Sequence, residues 1–181
     1  LRLARLPARQ LLLRRVVHAL ADQLQVAARG SVDRADRTAG RGPESAAAKT
    51  RALVVGINYF GGAHPIDGAV YDADKMKAFL AQRGFSTEAT DLRLLRDNAP
   101  TASLMPTRAN ILRGVDWLVK DAAPGDLLFF HFSGHATQQA DEGSDEADGM
   151  DECLVPCDHA KSGLITDDQL FDRLVRPADM V

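Results

Sequence analysis

Leu127-Leu128-Phe129-Phe130-His131-Phe132-Ser133-Gly134-His135 is the stretch that decides the fold. Leu127 to Phe132 reads as a buried strand, and it stops abruptly at Ser-Gly-His. A histidine released from the carboxyl end of a buried strand sits at the sheet edge where α/β folds place their chemistry. A general base needs that fixed position, and an imidazole with an ordinary pKa near 6.5 suits proton transfer at neutral pH. The plainer reading is a histidine hydrogen-bonded to a loop. Ser133 lies on the turn two residues before His135 and lacks the strand-to-helix elbow that exposes a serine nucleophile.

Working outward, Ala52–Ile57 is a second short apolar run, expected as a buried parallel strand. Ala69–Arg83 carries Val70, Ala73, Met76, Phe79 and Leu80 at helical spacing, with Gly84 as its stop. Leu92–Leu95 reads as a strand. Thr107 caps a helix expected over Arg108–Asp121, with Ile111, Leu112, Val115, Leu118 and Val119 on its apolar face. Pro124-Gly125-Asp126 turns the chain into the strand that ends near His135. This order of strands and helices predicts an α/β fold with a parallel sheet and right-handed crossovers. Beyond it, residues 139–152 read as an acidic loop and Cys153–Val155 as a short strand. Thr166 and Gln169 read as a capping box for a helix over Asp167–Val175.

Charge divides the chain. Residues 1–51 hold 11 Lys/Arg and 4 Asp/Glu, net +7, and residues 52–181 hold 11 and 21, net -10, which together give the overall -3. An acidic globular part attracts cationic substrates and repels nucleic acid. Residues 1–28 form a basic amphipathic segment, read either as an organelle-targeting peptide or as a prodomain helix or linker. Residues 29–51 read as a flexible polar linker. The two cysteines, Cys153 and Cys157, are too few for a secreted disulfide scaffold, so a reducing, cytoplasmic setting is expected. No apolar run is long enough to span a bilayer.

Five stretches resemble the metacaspases, caspase-like cysteine peptidases: "ALVVGINYF" at 52–60, "DGAVYDADKMKAFL" at 67–80, "PTRANILRGVDWLV" at 106–119, the Ser-Gly-His segment, and "DGMDECLVPCD" through to "LITDDQLFDRL" at 164–174. The resemblance runs in order from Ala52 to Val175 and implies a caspase-type three-layer sandwich, incomplete at its carboxyl end. It implies a Cys–His dyad with His135 as the base, the Ala136 N–H as an oxyanion donor, and a cysteine in an Asp-x-Cys motif. In caspases the His precedes the Cys by roughly 50 residues, which puts the nucleophile near position 185 and makes this chain a fragment expected to be inactive. The resemblance further implies protein or peptide substrates with Arg or Lys at P1 and a monomeric parent. It assigns Asp72 to the substrate pocket with Ser133 nearby, as a buried carboxylate gripping a basic side chain. Ala69 stands where relatives often carry Cys, and Tyr71 where they often carry Asn.

It also implies calcium, held by Asp151, Asp167 and Asp168. Seven acids fall between residues 141 and 152, and crowded carboxylates are stabilised by a divalent ion. A solvated loop and helix-start acids explain the same residues without an ion. Asp72 and Asp74, in the first turns of their helix, have the same plain explanation. Cys153 and Cys157 stand among carboxylates, which raise a thiol pKa, so neither reads as a nucleophile. A zinc site from Cys153, Cys157 and His159 lacks a second ligand pair. The rival to a peptidase is a non-catalytic calcium-binding or interaction module.

Overall fold

The computed structural model describes residues 48–140 and 150–179. The expectations for residues 1–28 and for most of 29–51 concern residues outside that range. The elements are β1 (Thr50–Gly56), α1 (Ala69–Gln82), β2 (Leu92–Arg96), α2 (Arg108–Val119), β3 (Leu127–Ser133), β4 (Ala136–Ala140), β5 (Met150–Leu154), α3 (His159–Ser162), β6 (Ile165–Thr166) and α4 (Asp167–Leu170). After α4 the helix widens into a π-helical turn, Phe171–Val175, and closes with Arg176–Ala178.

β2, β1 and β3 form one parallel sheet, in that order. The three strands read from apolar runs therefore share a sheet, as expected. β1 is central because its residues tolerate burial on both faces: Ala52, Leu53, Val54 and Val55 are completely buried. Leu53 and Val55 face Ile111, Val115 and Leu118 of α2 in the main core. On the opposite face Gly56 allows α1 to approach. A Cβ there would lie 2.5 Å from the Ala69 carbonyl oxygen and 2.7 Å from Ala73 Cβ. Gly114 does the same for α2 against Leu53. The sheet thus lies between helices on both faces.

β1 begins two residues earlier than the sequence suggested. Thr50 and Arg51 belong to the strand, not to the linker, because Thr50 pairs with Leu127 and Arg51 with Leu128. Arg51 also stacks its guanidinium 5.8 Å from the Trp117 ring centroid and donates to the Lys120 carbonyl.

The α1 and α2 helices fall where expected and end slightly earlier, at Gln82 and Val119. Gly84 has φ +86° and Asp121 has φ +53°, conformations that stop a helix. Phe79 proves to be exposed, with Arg83 stacked 4.8 Å over its ring. The Thr107 hydroxyl accepts from Asn110 N, at 3.2 Å, as a cap should.

The largest correction lies after His135. Residues 139–152 are not simply a loop: β4 and β5 pair antiparallel, and β6 adds to β5. "ATQQA" carries no apolar alternation, so its strand character comes from the ladder and not from burial. Half of the Thr166–Gln169 capping box also forms differently. Thr166 Oγ1 accepts from Gln169 N, at 3.2 Å, but the Gln169 side chain turns away to accept from Arg108, at 2.9 Å.

Candidate active site

β3 delivers His135 one turn beyond its last residue. The ring is oriented from outside the strand: His135 Nε2 donates to the His64 carbonyl oxygen at 2.8 Å. A carbonyl can only accept, so that bond fixes the proton on Nε2 and leaves the lone pair on Nδ1. An imidazole held in one tautomer by a second group has the arrangement of a base awaiting a nucleophile's proton.

A residue that carried no functional reading in the sequence holds the backbone of the same histidine. Tyr59 OH accepts from His135 N at 2.8 Å and donates to the Val155 carbonyl at 2.7 Å. Its ring packs against the imidazole, 4.6 Å between centroids at a 32° tilt. Burial pushes the Tyr59 phenol up to about 12, so it remains a donor at every working pH. Tyr59 itself adopts φ +58°, a costly conformation for a bulky side chain. Asp97 holds it there, accepting from Asn58 N at 3.1 Å and from Phe60 N at 3.3 Å. Asn58 in turn caps α1, accepting from Val70 N at 2.9 Å. No local pattern signals these contacts, since Tyr59 and His135 are far apart in sequence.

The register of β4 and β5 bears on Ala136. Val155 N donates to the His135 carbonyl at 3.1 Å, and Ala136 pairs with Leu154. Antiparallel pairs alternate between bonded and non-bonded, so Ala136 occupies a non-bonded position and its N–H points away from β5. The Ala136 N–H is therefore not used by the β4–β5 ladder.

Asp72 and Ser133 come together as expected. Ser133 Oγ donates to Asp72 Oδ2 at 3.2 Å. Ser133 is paired with Gly56 in the sheet, and Gly56 is where α1 closes on β1. The sequence reading placed Asp72 as a buried carboxylate, but it is exposed, because it lies on the solvent side of the first turn of α1. Asp74 has a structural partner instead, a 2.8 Å ion pair with Arg96.

Both thiols are held away from the thiolate form in this setting. Burial first, and Asp151 and Asp167 second, push Cys153 up to about 11. Burial and then Asp158 push Cys157 to about 11. His159 Nδ1 bonds the Pro156 carbonyl at 3.1 Å.

Asp151 and Asp167 are buried, at 5% and 8% exposure, on adjoining elements β5 and α4. Asp167 Oδ1 is buried without a hydrogen-bond partner. Burial, followed by Asp168, Asp151 and Glu152, pushes the Asp167 carboxyl up to about 6. Carboxylate oxygens are the donor type a hard cation takes, and the field of its acidic neighbours makes ionising Asp167 costly. Among the described residues, no three His, Cys, Asp or Glu side chains already converge as a finished metal site. No helix among them is long and apolar enough to cross a membrane.

The chain thus has a mixed α/β fold whose parallel sheet presents an oriented histidine at its carboxyl edge. The family model of the metacaspase, peptidase C14 domain matches residues 50–180, and the chain belongs to that family. It is 44% identical over 129 residues to Metacaspase-1 of Kluyveromyces lactis, covering 71% of this chain and 30% of that protein. It is 45% identical over 130 residues to Metacaspase-1A of Aspergillus fumigatus, covering 71% of this chain and 31% of that protein. The chain thus spans about 30% of the length of the curated relatives it matches. Its fold is similar to the crystal structure of protein GSU0716 from Geobacter sulfurreducens, with TM-score 0.53 and 31% identity over 68% of this chain and 44% of that one.

Proposed function

We propose that these residues form the histidine-bearing part of a calcium-responsive cysteine endopeptidase that cleaves after Arg or Lys. The observation that carries this reading is the Asp72–Ser133 pair at the strand end that also presents His135. A carboxylate beside an oriented base suits a cationic P1 side chain. The acidic charge of residues 52–181 draws such substrates in.

Neither Cys153 nor Cys157 suits the nucleophile, since burial and nearby carboxylates push both thiols up to about 11, and the reading takes the nucleophile from an Asp-x-Cys motif in a longer form of the chain. The Nδ1 lone pair of His135 takes the thiol proton, and the same nitrogen returns it to the leaving amine. The Ala136 N–H stabilises the oxyanion. The sequence carries Ala where relatives usually have Gly, which keeps the donor and restricts the backbone.

Asp151, Asp167 and Asp168 would hold calcium. Bound there, the ion would supply positive charge beside β5, and Val155, which directly follows β5, donates to the His135 carbonyl. The parent is proposed to act as a monomer in the cytoplasm.

The test uses a longer form of the chain that reaches an Asp-x-Cys motif. Fluorogenic peptides with Arg, Lys or Asp at P1 are assayed with calcium or with a chelator. Cleavage of the Arg and Lys peptides that needs calcium and disappears in His135→Ala is expected. Cleavage after Asp, or full turnover without His135, would reject the reading.

A further inference from the structure

We infer that Tyr59 is a positioning residue for His135, its hydroxyl inserted into the β4–β5 ladder to set the orientation of the imidazole. The inference rests on His135 being the base of the proposed peptidase. It adds a residue to that site which does not touch substrate.

The ladder geometry carries the argument. In an antiparallel pair the two residues of a bonded position exchange both N–H···O=C bonds. At the His135/Val155 position only one is direct, from Val155 N to the His135 carbonyl. The other is replaced by two bonds through one oxygen: His135 N donates to Tyr59 OH, which donates to Val155 O. A hydroxyl does this because it can accept and donate at once. The hydroxyl thus bridges His135 and Val155 one step beyond the last paired residues, Ala136 and Leu154. With its backbone held in this way, the His135 imidazole meets the His64 carbonyl at 2.8 Å.

Three further features are explained by the insertion. Gly134 leaves room for the hydroxyl, since a Cβ there would lie 2.9 Å from Tyr59 Oη and force it to shift. Tyr59 needs its left-handed backbone to reach under the turn, and Asp97 clamps the amides on both sides of it. Its ring lies on the imidazole, so one side chain contacts both the backbone and the ring of His135. A tyrosine that only filled the core would need neither the strained backbone nor the two-sided clamp.

Tyr59→Phe isolates the hydroxyl, because it keeps the ring and its packing. The chain is labelled with ¹⁵N, and the ring nitrogens and amide of His135 are followed by NMR. Wild type should show one neutral tautomer, protonated on Nε2. In Tyr59→Phe the Nδ1–H tautomer should become visible and the His135 amide should shift. If the variant does not fold, Asp97→Asn serves in its place. It keeps the hydroxyl, loosens the loop that aims it, and should give the same change at smaller amplitude. His135 signals superposable on wild type in the folded variant, with only a lower melting temperature, would overturn the inference. In a nucleophile-bearing longer form, Tyr59→Phe should lower kcat about ten- to a hundredfold, as small displacements of a catalytic group do, with KM nearly unchanged. If that longer form cleaves no Arg or Lys peptide even as wild type, the peptidase reading fails, while the NMR result still decides the role of Tyr59.

Discussion

The Ser133 hydroxyl donates to Asp72 Oδ2 across 3.2 Å, joining the end of β3 to the first turn of α1. One carboxylate oxygen is thus already engaged, on an exposed side chain. Asp72→Asn keeps an oxygen for Ser133 and removes only the charge. A hydrogen bond to a charged group contributes about 1.5–3 kcal/mol, and exposure puts Asp72 at the lower end of that range. A drop of about tenfold in kcat/KM for a P1 Arg peptide is expected in a nucleophile-bearing form. Unchanged kinetics would leave Asp72 as a helix-start acid.

His131 lies two residues before Ser133, on the same face of β3, and its Nε2 is buried without a hydrogen-bond partner. Burial lowers its pKa below the ordinary 6.5, and Asp72 opposes the shift without cancelling it. The folded state therefore binds fewer protons than the unfolded chain in the window just below pH 6.5. Stability from this group is present above that window and is lost as pH falls through it. Urea midpoints measured between pH 7.5 and 5 should decline less steeply in His131→Gln than in wild type. Parallel slopes would show that His131 adds nothing to acid sensitivity.

Gly56 tests how the fold supports the site. Its added methyl would meet the Ala69 carbonyl and Ala73, so Gly56→Ala must push α1 off β1. Overpacking of this kind costs about 1–3 kcal/mol. Thermal melting should show the loss. The Asp72–Ser133 contact should loosen with it, because Asp72 rides on α1. A variant as stable as wild type would mean that α1 adjusts freely.

The parallel sheet was legible because Ala52–Ile57 and Leu127–Phe132 are continuous apolar runs, the pattern that burial on both faces imposes. α2 was legible from Thr107 and from the spacing of Ile111, Val115 and Leu118. The β4–β5 hairpin was not, since Ala136–Ala140 is mostly exposed and owes its shape to hydrogen bonds with a partner strand. Tyr59 and Asp97 escaped for a related reason. Their contacts join residues distant in the chain, and local periodicity does not encode them. The nearness of Asp72 to Ser133 was legible only through the family resemblance, since the two lie on separate elements. The exposure of Asp72 was missed, because helix position predicts charge stabilisation but not depth.

Both thiols should resist alkylation in the folded chain. With pKa values near 11, only about one thiol in a thousand is ionised at pH 8. Iodoacetamide should label Cys153 and Cys157 far more slowly in buffer than in urea, as read by mass spectrometry. Rapid native labelling of either would reopen that cysteine as a nucleophile.

Calcium should stabilise this chain by binding at Asp151, Asp167 and Asp168. The physical reason is the buried Oδ1 of Asp167, which lacks a hydrogen-bond partner and is surrounded by the fields of Asp168, Asp151 and Glu152. An ion there offsets desolvation and repulsion together. The expected affinity is weak, a Kd of about 10⁻⁴ to 10⁻³ M, the range of low-affinity oxygen sites. Binding at ten times Kd would add RT ln 11, about 1.4 kcal/mol, to the unfolding free energy. Asp167→Asn removes the charge and nearly preserves the shape. Its melting temperature should rise in calcium-free buffer, because an unfavourable buried charge is gone, and it should no longer respond to added calcium. The helix-start explanation predicts the opposite on both counts: a small loss of stability, since a charge favourable to the helix dipole is removed, and no calcium response in either protein. Calorimetric titration alongside the melts separates the two, and equal heats from wild type and Asp167→Asn would assign these carboxylates to the helix alone.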